Sequence, residues 1–485
     1  MATQSVDPRT GLAFGPEIAD TTLAELVAVT AAAAGVAGTW RRTSGAERAF
    51  VLRTVADALD SSAETLVPLA DHESGLGLPR LTGELARTTF QLRQYAELLE
   101  SGEQLEVMIE PVDARPVPVG HPDLRRMLVG LGPVAVYGAS NFPFAFGVLG
   151  VDTAAALAAG CPVVAKAHPA HPQTCEAITV VVHAALASAG VPRELFSLVR
   201  GFAVGRELVR DPHIKAGAFT GSYAGGRALF DLAVGRPDPI PFYGELGSVN
   251  PVVVTPGAAT RGADLVIEYL DSLTLGTGQF CTNPSLFIVP SAAGLLPLIE
   301  AGARERAAGV LLHGGVADLL NRNLEMLSVI PSVRTVVEPR IYGPGFQTTV
   351  GILSIAAIDA LRHPEVVRTE CFGPVGLVVE YDDAEQLRAL LAILEGALVA
   401  TLHGTESEEL SAELVVTLTD LAGRVVWNGW PTGVAVNRAQ QHGGPHPSTT
   451  NALFTSVGPT AIRRFQRPVA FQSLPQAFLP PELRD

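Results

Sequence analysis

Six short stretches place polar or nucleophilic side chains where a strand or helix should end. In Phe219-Thr220-Gly221-Ser222-Tyr223-Ala224-Gly225-Gly226, a strand should end at Phe219 and a helix begin just after Gly221. Free N–H groups and the positive end of the helix dipole then suit a pyrophosphate. Gly221 allows the tight turn, and Gly225 or Gly226 allows close packing. The stretch is not GxGxxG, so an ordinary glycine-rich turn stays open. In Gly278-Gln279-Phe280-Cys281-Thr282-Asn283, a thiol follows a glycine turn. A thiolate there is a nucleophile once activated; a buried inert cysteine is the alternative. Glu245 sits at an expected strand end, where a carboxylate can act as general base or simply face solvent. Asn141, in Ser140-Asn141-Phe142-Pro143, carries an amide that can donate to an oxyanion, or is a turn residue. Lys166 ends another expected strand and can hold a ribose hydroxyl or a phosphate. Glu370-Cys371-Phe372-Gly373-Pro374 sets an acid able to grip a ribose beside an aromatic ring, or is a plain loop.

The rest of the chain must position these groups. With 485 residues and about 100–200 per domain, two to four domains are expected, and 47% apolar residues can fill their cores. Acids outnumber bases 49 to 34, a net charge of −15, which argues against a nucleic-acid partner. Of the bases only Lys166 and Lys215 are lysine, so a lysine at Lys166 is notable. The four cysteines show no CxxC or CxxH spacing, so neither a zinc site nor a disulfide scaffold is expected, and free thiols fit a reducing cytoplasm. No metal is expected. The polar N-terminus lacks a secretory pattern, and the apolar stretches Leu23 to Trp40 and Leu149 to Ala165 are broken by Glu25 and Asp152, so no membrane span is expected.

Residues 20 to 105 read as helices, with capping boxes at Ser44-Gly-Ala-Glu47 and Ser61-Ser-Ala-Glu64. From Arg126 the pattern changes. Met127-Leu-Val129 and Val134–Tyr137 suit buried strands. Strands at 162–166, 196–199, 216–219 and 242–245 alternate with helices at about 173–189 and 205–210 and after Ser222. A second alternating stretch runs from Pro251 to Val426, with a boundary near Gly247. This order implies βαβ units and mostly parallel sheets. The tail 460–485 reads as an extended arm.

Taken in order, Asn141-Phe-Pro, Lys166, the Phe219–Gly226 loop, Glu245-Leu-Gly, Gly278-Gln-Phe-Cys281 and Glu370-Cys-Phe-Gly-Pro resemble the aldehyde dehydrogenase superfamily over about residues 20 to 475. Cys281 falls 36 residues after Glu245, a family-like spacing. Lys166-Ala-His-Pro-Ala-His-Pro172, Phe280-Cys-Thr-Asn-Pro284, Asn428-Gly-Trp-Pro-Thr-Gly433 and Gln441-His-Gly-Gly-Pro-His-Pro447 look like its branch acting on 2,5-dioxovalerate (α-ketoglutaric semialdehyde).

The resemblance implies an α/β fold with a Rossmann-like cofactor domain (1–112 and 132–246), an α/β catalytic domain (247–447), and a small β oligomerisation arm with the tail (113–131 and 460–485). It implies NAD(P)-dependent oxidation of an aldehyde to an acid, here α-ketoglutaric semialdehyde to 2-oxoglutarate. A broad aliphatic or aromatic aldehyde dehydrogenase is the alternative, and a non-catalytic protein on the same fold is the alternative of another class. Cys281 would be the nucleophile, Asn141 the oxyanion donor and Glu245 the base. Lys166, His168, Gly221, Ser222, Gly226, Glu370 and Phe372 would bind the cofactor. Phe142, Phe146, Phe280 and Trp430 would wall the substrate tunnel. A cytoplasmic homodimer or homotetramer is implied, with a small aldehyde as its ligand and no membrane.

Two departures stand out. Many NAD-using members carry Glu three residues after the lysine; here it is Pro169. Losing that carboxylate removes repulsion of a 2′-phosphate, which Lys166 and His168 would then meet, favouring NADP over NAD. The stretch Phe144–Gly150 also lacks the arginine that holds the substrate carboxylate in succinate-semialdehyde-type relatives. Asn283, Ser285, the Thr432-Gly433 backbone and Arg438 are the candidates to replace it.

Overall fold

The computed structural model describes residues 2–307 and 309–485. Its first sheet has five parallel strands in the order Phe196–Val199, Val163–Lys166, Val134–Tyr137, Ala216–Thr220, Phe242–Glu245. The chain winds outward both ways from Val134–Tyr137, so a crevice opens beside that strand's carboxyl end. The register puts Tyr137 opposite Lys166 and Phe219, and Thr220 opposite Glu245. Lys166, Ser222 and Glu245 therefore share one rim. Helices Gly45–Ser61, Leu78–Ser101, Val151–Ala158 and Pro172–Ser188 bury one face of this sheet. Leu23–Arg42, Phe202–Arg210 and Tyr223–Val234 bury the other.

The second sheet has seven strands in the order Arg334–Val337, Gly351–Ala356, Val375–Tyr381, Leu286–Pro290, Pro251–Val254, Ala397–His403, Ala422–Trp427. Only the edge strand Arg334–Val337 is antiparallel. Its strands Pro251–Val254 and Leu286–Pro290 are continuous apolar runs, as burial on both faces demands. A third, antiparallel sheet joins Met108–Glu110, Leu124–Gly130 and Gln466–Gln472.

Two expectations need adjustment, the second capping box and the start of the arm. The box at Ser44 forms, with Glu47 and Ser44 bonded reciprocally. The one at Ser61 does not: Ser61 Oγ and Ser62 Oγ donate back to Asp57 O and Ala58 O, both at 2.8 Å, because the next helix starts within one residue. The apolar run Met127-Leu-Val129 is a strand of the small sheet, and a partner, Met108–Glu110, precedes the expected arm. The polar N-terminus forms a hairpin, Ala2–Val6 with Ala13–Ala19.

Among the described helices, Leu23–Arg42 alone has the length and apolarity of a membrane span, at 20 residues and mean hydropathy 1.5. Here it packs on the five-stranded sheet. Thr30 Oγ1 donates to Asp211 at 2.8 Å, and Trp40 Nε1 donates to Leu157 O at 3.1 Å.

Candidate active site

Cys281 lies on the loop that enters strand Leu286–Pro290. Gly276, Thr277 and Gly278 all take left-handed φ angles before it. A Cβ on Gly278 would stand 2.2 Å from Gly373 O, so only glycine lets this loop meet the Glu370–Pro374 loop backbone to backbone. Gln279 is buried; its side chain accepts from Leu312 N at 2.8 Å and donates to Val310 O at 3.0 Å. Asn250 Nδ2 donates to Cys281 O at 2.8 Å and Asn283 O at 3.0 Å. The thiol thus sits on a loop tied at both ends.

Glu245 ends the last strand of the five-stranded sheet, and the returning segment near residue 448 covers it, with Leu246 N donating to Ser448 O at 2.8 Å. This return delivers His442. Its Nε2 lies 3.5 Å from Cys281 Sγ and 3.0 Å from Glu245 Oε1. Ser456 Oγ donates to Glu245 Oε2, and Ser456 N donates to His442 O at 2.8 Å. Sequence reasoning did not single out His442 as a site residue, since 161 residues separate it from Cys281.

Burial, with the Glu245 charge beside it, pushes the Cys281 thiol well above its usual range; Arg424 opposes this. Burial also favours a neutral Glu245, but the charge of His442 and hydrogen bonds from His442, Ser456 and Cys281 outweigh it and leave the carboxyl below its usual range. The site therefore holds a neutral thiol beside an ionised carboxylate, with an imidazole touching both. Such a set can take the thiol proton as the sulfur attacks, and later take a proton from water.

Asn141 Nδ2 donates to Gln279 O at 3.0 Å, two residues from the thiol, and the amide keeps a second hydrogen. Phe142 stands 5.5 Å from Phe146 and 5.4 Å from Phe280, ring to ring, and Phe146 stands 6.0 Å from His442. These three phenylalanines form one ring cluster that reaches His442. Trp430 is not part of it. It packs on Tyr269, Phe287 and His403 in the core of the second sheet and donates to Glu268 at 3.0 Å. Asn283 is buried beneath the loop, donating to Leu273 O at 2.9 Å. Ser285 lines a small apolar cavity with Val249, Leu327 and Cys371, away from the thiol. Arg438 is exposed and paired with Glu103. Gly433 O already accepts from Arg424 at 2.6 Å, and Thr432 O from Thr282 Oγ1 at 3.2 Å; carbonyls repel a carboxylate in any case.

A half-buried arginine emerges instead on helix Leu78–Ser101. Arg80 Nη2 donates to Asn141 O at 2.7 Å, and its guanidinium lies 4.9 Å from the Phe142 ring and 4.6 Å from the Phe280 ring. One turn on, Glu84 accepts from Phe144 N at 2.8 Å and Ala145 N at 3.0 Å. Arg87 donates to Val434 O at 2.7 Å. The spacing 80, 84, 87 puts all three on one helix face, aimed at the Asn141 loop and its surroundings.

The cofactor candidates lie along the same rim. Ser222 caps helix Tyr223–Val234, accepting from Gly225 N at 3.3 Å, and residues 222–224 are exposed, so the positive helix end is open. A Cβ on Gly226 would stand 2.1 Å from Leu246 Cδ2, so Gly226 lets the helix seat on the chain just after Glu245. Glu370 is half-buried beside Gly247, with its carboxyl raised by burial to about 7 against a hydrogen bond from Ser248 N–H. Lys166 is half-buried, its ammonium weakened by burial against the charge of Asp20. Phe372 is half-buried on the adjoining loop. These groups fit a dinucleotide: an open helix end for phosphate, and a cation and an acid for hydroxyls. His168 fits less well than expected. Burial, with His171, Lys166 and His313 around it, pushes its ring well below the usual range, it stacks 5.4 Å from His171, and its Nδ1 accepts from Ala170 N at 3.1 Å. Burial thus works against the imidazolium that a phosphate would pair with.

The aldehyde dehydrogenase family model matches residues 2–294. The chain is 42% identical over 447 residues to alpha-ketoglutaric semialdehyde dehydrogenase 2 of Azospirillum brasilense, covering 91% of this chain and 85% of that one. It is 39% identical over 462 residues to alpha-ketoglutaric semialdehyde dehydrogenase of Acinetobacter baylyi, covering 92% and 86%. A variant of aldehyde dehydrogenase C from Pseudomonas syringae, solved with NAD+ and octanal, superposes with TM-score 0.79 at 20% identity over 99% of this chain and 95% of that one. Fold, family model and long relatives agree: the chain belongs to the aldehyde dehydrogenase family and is a nicotinamide-dependent enzyme acting on a small aldehyde.

Proposed function

We propose that the chain oxidises α-ketoglutaric semialdehyde to 2-oxoglutarate and prefers NADP to NAD. The observation that carries the chemistry is the contact of Cys281, His442 and Glu245 at the rim of the cofactor sheet. Cys281 attacks the aldehyde carbon as His442 or Glu245 takes its proton. The Asn141 amide and the Cys281 N–H steady the oxygen. Bound nicotinamide supplies the hydride acceptor. Glu245 then draws a proton from the water that cleaves the thioester, with His442 and Ser456 holding the carboxylate in place. Ser222, Gly221 and Gly226 shape the phosphate end, Lys166 the adenosine ribose, and Glu370 and Phe372 the nicotinamide end.

The two long relatives, named for this semialdehyde, support the substrate. A carboxylated aldehyde needs a cation, and two flank the site. The guanidiniums of Arg87 and Arg424 both lie within electrostatic reach of the Cys281 sulfur, and they hold the carbonyls of Val434 and Gly433. Each keeps N–H donors for a carboxylate. The wall of Phe142, Phe146 and Phe280 favours a second reading, an apolar aldehyde. Pro169, in place of a carboxylate, supports NADP. The exposed apolar side chains of the small sheet, such as Met108 and Ile109, support assembly into a homodimer or homotetramer, and four free thiols support a cytoplasmic setting.

Initial rates with both cofactors on α-ketoglutaric semialdehyde, glutarate semialdehyde and hexanal test this. The expected result is at least about tenfold higher kcat/KM for the keto acid than for hexanal, with NADP favoured. A tenfold preference for NAD sinks the cofactor assignment, and hexanal as best substrate sinks the carboxylate one.

A further inference from the structure

The spacing of the cysteines offers no zinc site, yet folding brings one set of donors together. Cys281 Sγ, His442 Nε2 and a Glu245 carboxylate oxygen all lie within 4.8 Å of one another. A sulfur, an imidazole nitrogen and a carboxylate oxygen are the usual zinc donors, and three of them with an open fourth position form a common site. The geometry can be checked against the ion. Bonds of about 2.3 Å to sulfur, 2.0–2.1 Å to nitrogen and 2.0–2.2 Å to oxygen, at tetrahedral angles, separate sulfur from nitrogen by about 3.6 Å and nitrogen from oxygen by about 3.4 Å. The two contacts here measure 3.5 Å and 3.0 Å. These two edges fit within a few tenths of an ångström, and the sulfur–oxygen edge is no longer than 4.8 Å.

The surroundings also suit a metal. His442 and Glu245 side chains are 3% and 4% exposed, so they are held rather than flexible. Glu245 is oriented from behind by Ser456 Oγ, as ligating carboxylates usually are. The site is half-open at Cys281, which leaves a path and a fourth position for water.

We propose that this catalytic centre is also a zinc-binding site, in which a divalent zinc ion bound by Cys281, His442 and Glu245 blocks the nucleophile. Coordination replaces the sulfur–hydrogen bond by a sulfur–zinc bond and releases the proton to solvent; nothing is oxidised. Zinc inhibits by removing the free thiol and by filling the space of the aldehyde carbonyl. The site requires only the three side chains, whatever the aldehyde or the preferred cofactor.

The test uses the whole protein without added cofactor. Cobalt(II), a spectroscopic substitute for zinc, should give a thiolate-to-cobalt charge-transfer band at one equivalent per chain. Zinc should slow iodoacetamide labelling of Cys281, read by peptide mass, by about tenfold or more, and EDTA should restore it. Cys281→Ser should abolish the band, and His442→Phe should weaken cobalt binding about tenfold or more while melting normally. Labelling of Cys281 unaffected by excess zinc overturns the proposal without any variant. So does a cobalt band that survives in Cys281→Ser, which places the metal on Cys175 and His171 or another thiol.

Discussion

Arg80 grips the backbone of Asn141 while lying against the rings of Phe142 and Phe280. One guanidinium thus touches the loop that carries the amide and the residue before the thiol. Its Nε and Nη1 have no protein partner, and burial lowers its pKa. Such a cation is costly to bury and earns its place by aligning two loops from different sheets.

Arg80→Ala should therefore misplace Asn141 relative to Cys281. The expected loss is about 10–100-fold in kcat, with cofactor affinity unchanged. A second signature is a stability loss of about 1–3 kcal/mol, because Asn141 O loses its donor. Kinetics and a urea melt check both. Unchanged kcat in a folded variant removes Arg80 from the positioning role.

Glu84 predicts a pH signature of stability. Burial raises its carboxyl to about 7, against the opposing charge of Arg80 and the two N–H donors. The unfolded chain titrates near 4.5, so the native state holds an extra proton between these values. Stability is then full below about 4.5 and falls as pH rises through 7, by an amount on the order of 3 kcal/mol. Glu84→Gln keeps an oxygen for the N–H groups of Phe144 and Ala145 and cannot ionise. Its melting temperature should fall less than the wild type's between pH 5 and 8, and equal slopes contradict the assignment.

Arg87→Met and Arg424→Met separate the substrate readings. If these cations meet the carboxylate, KM for α-ketoglutaric semialdehyde should rise about 10–100-fold, while hexanal is barely affected. A parallel rise for both aldehydes would show that the arginines only brace residues 431–434.

Much of this was legible in the sequence because the groups announce themselves locally. Glu245 and Lys166 sit at the carboxyl ends of apolar runs, and Cys281 follows a glycine turn. Parallel strands must bring such ends to one rim. His442 was hidden because only the return of the chain past Ser448 sets it beside Glu245, and no local pattern encodes that. Arg80, Glu84 and Arg87 were hidden for another reason: charges at helical spacing read as a solvated face, and nothing local says the face is covered. Trp430 misled in the opposite direction. A tryptophan in a glycine-rich loop looks like a pocket wall, but its indole N–H found Glu268 and its rings found a core.

The meeting of Gly278 with Gly373 has a reach beyond packing. Cys281 lies three residues after one glycine, and Glu370 three residues before the other. The spacing of the two loops that carry the thiol and the proposed ribose grip is held by a main-chain contact, like a gauge block with no adjusting screw. Changes to Phe142, Phe146 or Arg87 can retune which aldehyde enters while that interval stays put. The same fold can therefore change substrate without losing its reaction distance.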